Sequence, residues 1–125
     1  MSRELINAWA SEQGLSRRID VPGAALSFTL GDVRVTLREL SQSNILITAR
    51  VVDIPLDATG KDNLLRSAME MALGRVRDSA CVLTADSPGG SLWLQLRADA
   101  VATTRDLGSR VEDLVNEVDL WREVL

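Results

Sequence analysis

Between Leu26 and Leu37 the chain alternates apolar and polar positions twice over, with one break between the two runs. Leu26, Phe28 and Leu30 flank Ser27 and Thr29, and Val33, Val35 and Leu37 flank Arg34, Thr36 and Arg38. A period of two sends every apolar side chain of an extended segment to one face, so each run predicts a strand buried on one side. Gly31-Asp32 between them is the two-residue connection of a tight hairpin. After Ser41-Gln42-Ser43-Asn44, residues 45–52 are dense in β-branched side chains and predict a third strand, so the three form an antiparallel meander. Two further strands are predicted over 81–85 and 92–96, joined by the turn formers Asp86-Ser87-Pro88-Gly89-Gly90.

Three segments follow the helical period instead. Residues 3–13 collect Leu5, Ile6, Trp9 and Ala10 on one face, with Ser2 placed to cap the helix and Gly14 to end it. Residues 15–23, which contain Arg17-Arg18 and Pro22-Gly23, show no period and read as a loop. A polar linker at 57–61 leads to a central helix over 62–77, where Leu65, Ala68, Met69, Ala72, Leu73 and Val76 form a stripe. Leu64 and Met71 widen that stripe beyond a single face. The last helix runs from Thr103-Thr104 to 124, with threonine as its cap and Asp106 in its first turn. Leu107, Val111, Leu114, Val115, Val118, Trp121 and Leu125 share one side, while Glu112, Asp113, Glu117, Asp119 and Glu123 take the solvated remainder.

The order helix, three strands, helix, two strands, helix predicts an α+β fold. A twisted antiparallel sheet of five strands packs with three helices in a single domain over residues 1–125. Two apolar surfaces exceed what such a domain needs when alone: the Trp9 face of the short first helix, and the wide stripe of the central helix. Each is either core or an interface with another chain. On the central helix Ala68, Ala72 and Gly74 would let a partner helix come close, which favours self-association.

Composition narrows the chemistry. With 125 residues, 46% hydrophobic and 26% charged, the chain is long enough to bury a core without staples. A single cysteine precludes an internal disulfide, and Cys81, among Ala80, Val82 and Leu83, reads as a small core residue. No apolar stretch reaches the roughly 20 residues of a membrane span, and the first residues lack a signal peptide's apolar run, so a cytoplasmic location is expected. The net charge is −4, and the arginines are scattered along the sequence rather than massed, which argues against nucleic acid as a partner. Histidine is absent, removing the usual neutral-pH proton shuttle and the commonest zinc ligand together. Gly60-Lys61 lacks the upstream glycine of a phosphate loop, and Asp53 and Asp57 do not form the spaced ladder of a calcium loop. No metal, cofactor or enzymatic activity is expected; the competing enzymatic reading would have to work with carboxylates and Lys61.

Several runs resemble the class I type III secretion chaperones, the Tir chaperone or CesT-like family. Leu26-Ser27-Phe28-Thr29-Leu30 leading through Gly31-Asp32 into Val33-Arg34-Val35-Thr36-Leu37 resembles that family's first hairpin. Residues 45–52 followed by Asp53-Ile54-Pro55 resemble its third strand and exit. Leu64-Leu65-Arg66-Ser67-Ala68-Met69 resembles its middle helix, Gly90-Ser91-Leu92-Trp93-Leu94 its last hairpin, and Val118-Asp119-Leu120-Trp121-Arg122 its C-terminal helix ending. The Met69-Glu70-Met71 step departs from the family's pattern of leucine followed by a small residue. The resemblance implies a homodimer that holds the N-terminal segment of a secreted effector extended and export-competent without ATP. It places the effector groove at Leu5, Trp9, Leu26, Phe28 and Leu37, and the dimer interface at Leu65, Met69, Leu73, Cys81 and Leu83. The alternative within the same fold is a regulatory or adaptor subunit of a secretion system that pairs with another chaperone-like chain.

Overall fold

A computed structural model describes residues 2–16, 18–21, 23–41, 44–86 and 90–125. Arg17, Pro22, Gln42-Ser43 and the turn formers Ser87-Pro88-Gly89 lie outside the described residues. The elements in chain order are α1 (Ser2–Glu12), β1 (Ala25–Leu30), β2 (Val33–Ser41), β3 (Asn44–Asp53), α2 (Ala58–Arg75), β4 (Val82–Ala85), β5 (Ser91–Ala98) and α3 (Thr104–Val124). The five strands form one antiparallel sheet in the order β1-β2-β3-β5-β4. The expected meander is its first three strands, and the last hairpin is inserted with β5 inside and β4 at the edge.

One face of the sheet is the core. Leu37, Ile47 and Leu96 stand side by side across β2, β3 and β5, and α1 and α3 cover them with Ile6, Trp9 and Val111. The α3 stripe packs as its period predicts, with Leu107, Leu114, Val118 and Trp121 all at 2% exposure or less. Thr103 caps the helix by accepting from the Asp106 N–H at 3.1 Å. At Gly108 α3 comes so close to Trp9 that a Cβ there would lie 3.2 Å from the indole Nε1.

Both ends of α1 are fixed, the first of them by tertiary contacts. Ser2 was expected as the cap but is itself helical, and its hydroxyl donates to the Glu39 carboxylate at 2.9 Å and to the Ser41 carbonyl at 3.0 Å. The cap is supplied from β2, where Glu39 accepts the Arg3 N–H at 3.0 Å, a negative charge at a helix N-terminus. At the other end Gly14 takes φ +76° and its N–H donates to the Ser11 carbonyl, while the Leu15 N–H donates to that of Ala10. This paired closure uses the left-handed conformation that glycine adopts without a Cβ clash.

The central helix departs most from expectation. It starts at 58 rather than 62, because Asp57, in extended conformation, accepts the Gly60 N–H at 2.6 Å and caps the turn that read as a polar linker. Only Ala68 is buried, with Leu64, Leu65, Met71 and Ala72 leaning on the core. Met69, Leu73 and Val76 are 67, 76 and 73% exposed, so half of the expected stripe has no partner within this chain among the described residues.

Candidate functional site

The strand order leaves β1 and β4 at the edges, each paired on one side only. A strand in that position presents unpaired backbone donors and acceptors to any chain that can lie alongside. Beside β1 runs a cleft of about 390 Å³, walled by Leu15 and Ser16 and floored by Leu26 to Thr29 with Arg34. A second cleft of about 400 Å³ shares Leu15 and Ser16 and continues along α1 past Asn7 and Ala8. The wall between them is anchored: Asn7 donates from Nδ2 to the Ile19 carbonyl at 3.0 Å and accepts the Ile19 N–H on Oδ1 at 2.7 Å. A third cleft, about 430 Å³, lies between α1 and α3 and is lined by Trp9, Leu30, Gly108 and Val115.

The groove residues read from the resemblance do not fall into one surface. Leu26 and Phe28 floor the first cleft, yet each keeps less than a tenth of its surface, and Trp9 borders the third cleft with its ring 5.1 Å from that of Phe28. Leu5 is half-buried on α1 against the core and lines none of these clefts. Leu37 is inside the molecule at 0% exposure, because β2 lies between β1 and β3 and its inward face is covered; no partner can reach it. Leu15, Ser16 and Leu30 were missed. Leu15 and Ser16 belong to an aperiodic segment in which no pattern separates wall from loop.

Of the residues expected at a dimer interface, Met69 and Leu73 are exposed on α2, while Leu65, Cys81 and Leu83 are half-buried. Leu83 pairs with Leu94 and faces the core side, whereas Val82, 59% exposed, faces outward. Val76, just past α2, and Val82, opposite Gln95 at the β4 edge, are further exposed apolar side chains. Cys81 precedes β4, and burial pushes its thiol above the ordinary range, which favours the protonated form.

α2 is fastened at its end by a contact that the helical pattern of α3 did not foresee. Glu117, expected on the solvated side, is 9% exposed and accepts two bonds from the Arg75 guanidinium, at 2.9 and 2.7 Å. It also accepts the Trp121 indole N–H at 3.2 Å. The paired bonds from Arg75 hold the Glu117 carboxyl below its usual value, against the opposing effect of burial, and Trp121 adds to them. Arg75 is held above its own usual value by the same carboxylate. Among the described residues no grouping of three or more histidine, cysteine, aspartate or glutamate side chains could hold a metal ion. No helix among them is long and apolar enough to cross a membrane.

The sheet is thus covered by helices on one side, a cleft runs along its free β1 edge, and α2 leaves Met69 and Leu73 uncovered. The sequence pattern of the Tir chaperone protein (CesT) family matches residues 14–122, and the chain belongs to that family. No curated protein matches the chain in sequence. Among solved structures, a chain of the ExsC–ExsE complex superposes with a TM-score of 0.72 at 20% identity, covering 99% of this chain and 92% of that one. A chain of the HopA1–SchA chaperone–effector complex gives 0.69 at 14% identity, with 98 and 93% covered. A chain of the ExoU–SpcU heterodimer from the type III secretion system of Pseudomonas aeruginosa gives 0.64 at 20% identity, with 96 and 97% covered. These likenesses share the order of helices and strands described above.

Proposed function

We propose that this chain works as one domain that binds the N-terminal segment of a type III secretion effector in extended form and keeps it competent for export. The observation that carries the reading is the free edge of β1 with a cleft floored by Leu26 and Phe28 alongside it. An extended segment gains main-chain hydrogen bonds from such an edge and specificity from apolar side chains dropped into the adjoining clefts. Membership of the family supports the same reading, as do chaperone–effector complexes among the similar folds. In this proposal the protein acts in the cytoplasm, carries no cofactor and catalyses no reaction. Of the groove residues, Trp9, Leu26 and Phe28 remain as contacts, with Leu15 and Leu30 added, Leu5 outside the clefts and Leu37 left to the core.

The test is calorimetry with the N-terminal segment of an effector identified by pull-down from the native cytoplasm. Binding should show a large negative heat-capacity change, as burial of apolar surface and ordering of a disordered segment require. Leu15→Asp, at the shared wall of the two clefts, should weaken binding without changing the oligomeric mass. Normal binding by that variant removes the β1 cleft from the site, and failure of any cytoplasmic protein to bind through an extended segment removes the chaperone reading. We also propose a homodimer through α2 and β4, at Leu65, Met69, Leu73, Cys81 and Leu83. Its support is the exposure of Met69, Leu73, Val76 and Val82 in a single chain.

A further inference from the structure

The sheet face turned away from α1 and α3 carries a charge pattern that is invisible in the linear sequence. Strand register sets three rows across it. In the middle row Ser27 stands opposite Thr36, Thr36 opposite Thr48, and Thr48 opposite Gln95, with a 3.0 Å hydrogen bond between the Ser27 and Thr36 hydroxyls. On one side of this uncharged trough lie Arg38, Leu46 and Arg97; on the other, Arg50 stands opposite Trp93, and Arg34 occupies the neighbouring position on β2. Four arginines therefore border one polar trough in a protein whose net charge is −4. Among the described residues four aspartates border this face: Asp53 and Asp99 pair with Arg50 and Arg97, Asp86 accepts the Trp93 indole N–H at 2.8 Å, and Asp32, paired with Arg122, shares a cleft with Arg34 and Arg50. Arg34 and Arg38 are exposed and have no ion-pair partner among the described residues.

We propose that this face docks an acidic, extended polypeptide segment along the trough. Arg34 and Arg38, four residues apart on one strand, are separated by about 13 Å at roughly 3.3 Å per residue. An extended chain lying between them sends successive side chains to opposite sides, so neighbouring carboxylates reach both rows. Guanidinium groups hold carboxylates through paired, charge-assisted hydrogen bonds, and the hydroxyls and amide of the trough can bond the segment's backbone. Arg34 stands beside Arg50 on adjacent strands, and Asp53 pairs with Arg50, which leaves the Arg34 guanidinium open to a further carboxylate. The remaining surface is acidic overall and repels a polyanion such as duplex DNA, whereas a short segment with few carboxylates meets favourable charge here.

The trough lies on the face of the sheet turned away from α1 and α3 and meets the β1 cleft at Ser27 and Arg34, which line both, whereas Arg38, Arg50 and Arg97 lie outside that cleft. The test of the proposal is titration of the full chain with a short synthetic peptide in which adjacent pairs of glutamates are separated by serines, so that carboxylates reach both rows, followed by tryptophan fluorescence. Trp9 and Trp121 are buried in the core, so a change reports Trp93. The expected result is saturable binding that weakens with salt, is absent for the lysine counterpart, and falls about tenfold or more in Arg34→Glu/Arg38→Glu. Arg38→Glu, at a position outside the β1 cleft, should weaken the peptide while leaving effector-segment binding unchanged, which separates failure here from failure of the effector cleft. If the double reversal does not fold, Arg34→Gln and Arg38→Gln must each weaken binding. Equal binding by these variants, equal or tighter binding of a short DNA duplex, or a change in oligomeric mass on reversing the arginines would overturn the proposal.

Discussion

Trp121 and Glu117 show how one residue position is decided by its neighbours. Trp121 lies against the core at 2% exposure with its indole N–H satisfied by Glu117, so Trp121→Ala should cost about 3–5 kcal/mol in denaturant unfolding. Glu117 gives a pH signature. Because Arg75 keeps its folded-state carboxyl below the ordinary value of 4.5, the unfolded chain takes up this proton first on acidification. The stabilisation from the pair is complete above that range and is lost as pH falls through the folded value. Thermal melts of wild type and Glu117→Gln should therefore differ at neutral pH and converge in acid; a constant difference down to low pH would show that the pair does not carry this linkage. Arg122 does comparable work at the irregularity between Arg50 and Val52 in β3. It donates to the carbonyls of Val51 at 2.8 Å and Arg50 at 3.2 Å and pairs with Asp32 at 3.2 Å. Arg122→Met should lose about 1–3 kcal/mol by leaving those acceptors without their donor, again read by denaturant unfolding.

At the scale of the element, α2 is the exception. The other two helices are held by broad apolar burial, whereas α2 buries one alanine and is secured by the Asp57 cap at its start and by Arg75 near its end. Its stability thus depends on local terms to an unusual degree, and Asp57→Ala should weaken it by about 1 kcal/mol. Hydrogen exchange is the suitable measurement: protection over residues 58–75 should fall while that of β3 and β5 stays unchanged. Loss of protection throughout the sheet would mean that α2 is coupled to the core more tightly than its burial shows. The reading of residues 57–61 as a linker failed because a cap is a backbone geometry, and the sequence shows only an aspartate followed by helix-neutral residues.

For the whole molecule, the exposed apolar side chains Met69 and Leu73 of α2, with Val76 just beyond it, are expected to be covered by a second copy. Light scattering of Met69→Asp and Leu73→Asp should show monomers where the wild type is a dimer. Because both side chains are solvent-exposed in the single chain, the variants should keep the wild-type circular dichroism spectrum. Unchanged mass in both would place the interface elsewhere, and a monomeric wild type at micromolar concentration would remove it. This surface also marks where pattern and fold part. The spacing of Leu65, Ala68, Met69, Ala72 and Leu73 defines a helix, but apolar character is common to core and interface and cannot separate them.

Alternation and helical period alone determined the element order, the first hairpin, the core stripe of α3 and its Thr103 cap, because each depends on residues within a few positions of one another. Tertiary structure decided the rest. Whether Leu37 lines a groove or fills the core depended on β2 lying inside the sheet; whether Glu117 is solvated depended on Arg75, forty-two residues away, arriving beside it. The arginines that look scattered along the chain meet on one face because antiparallel register brings β2, β3 and β5 together, and register is a property of paired strands that no single stretch of sequence contains.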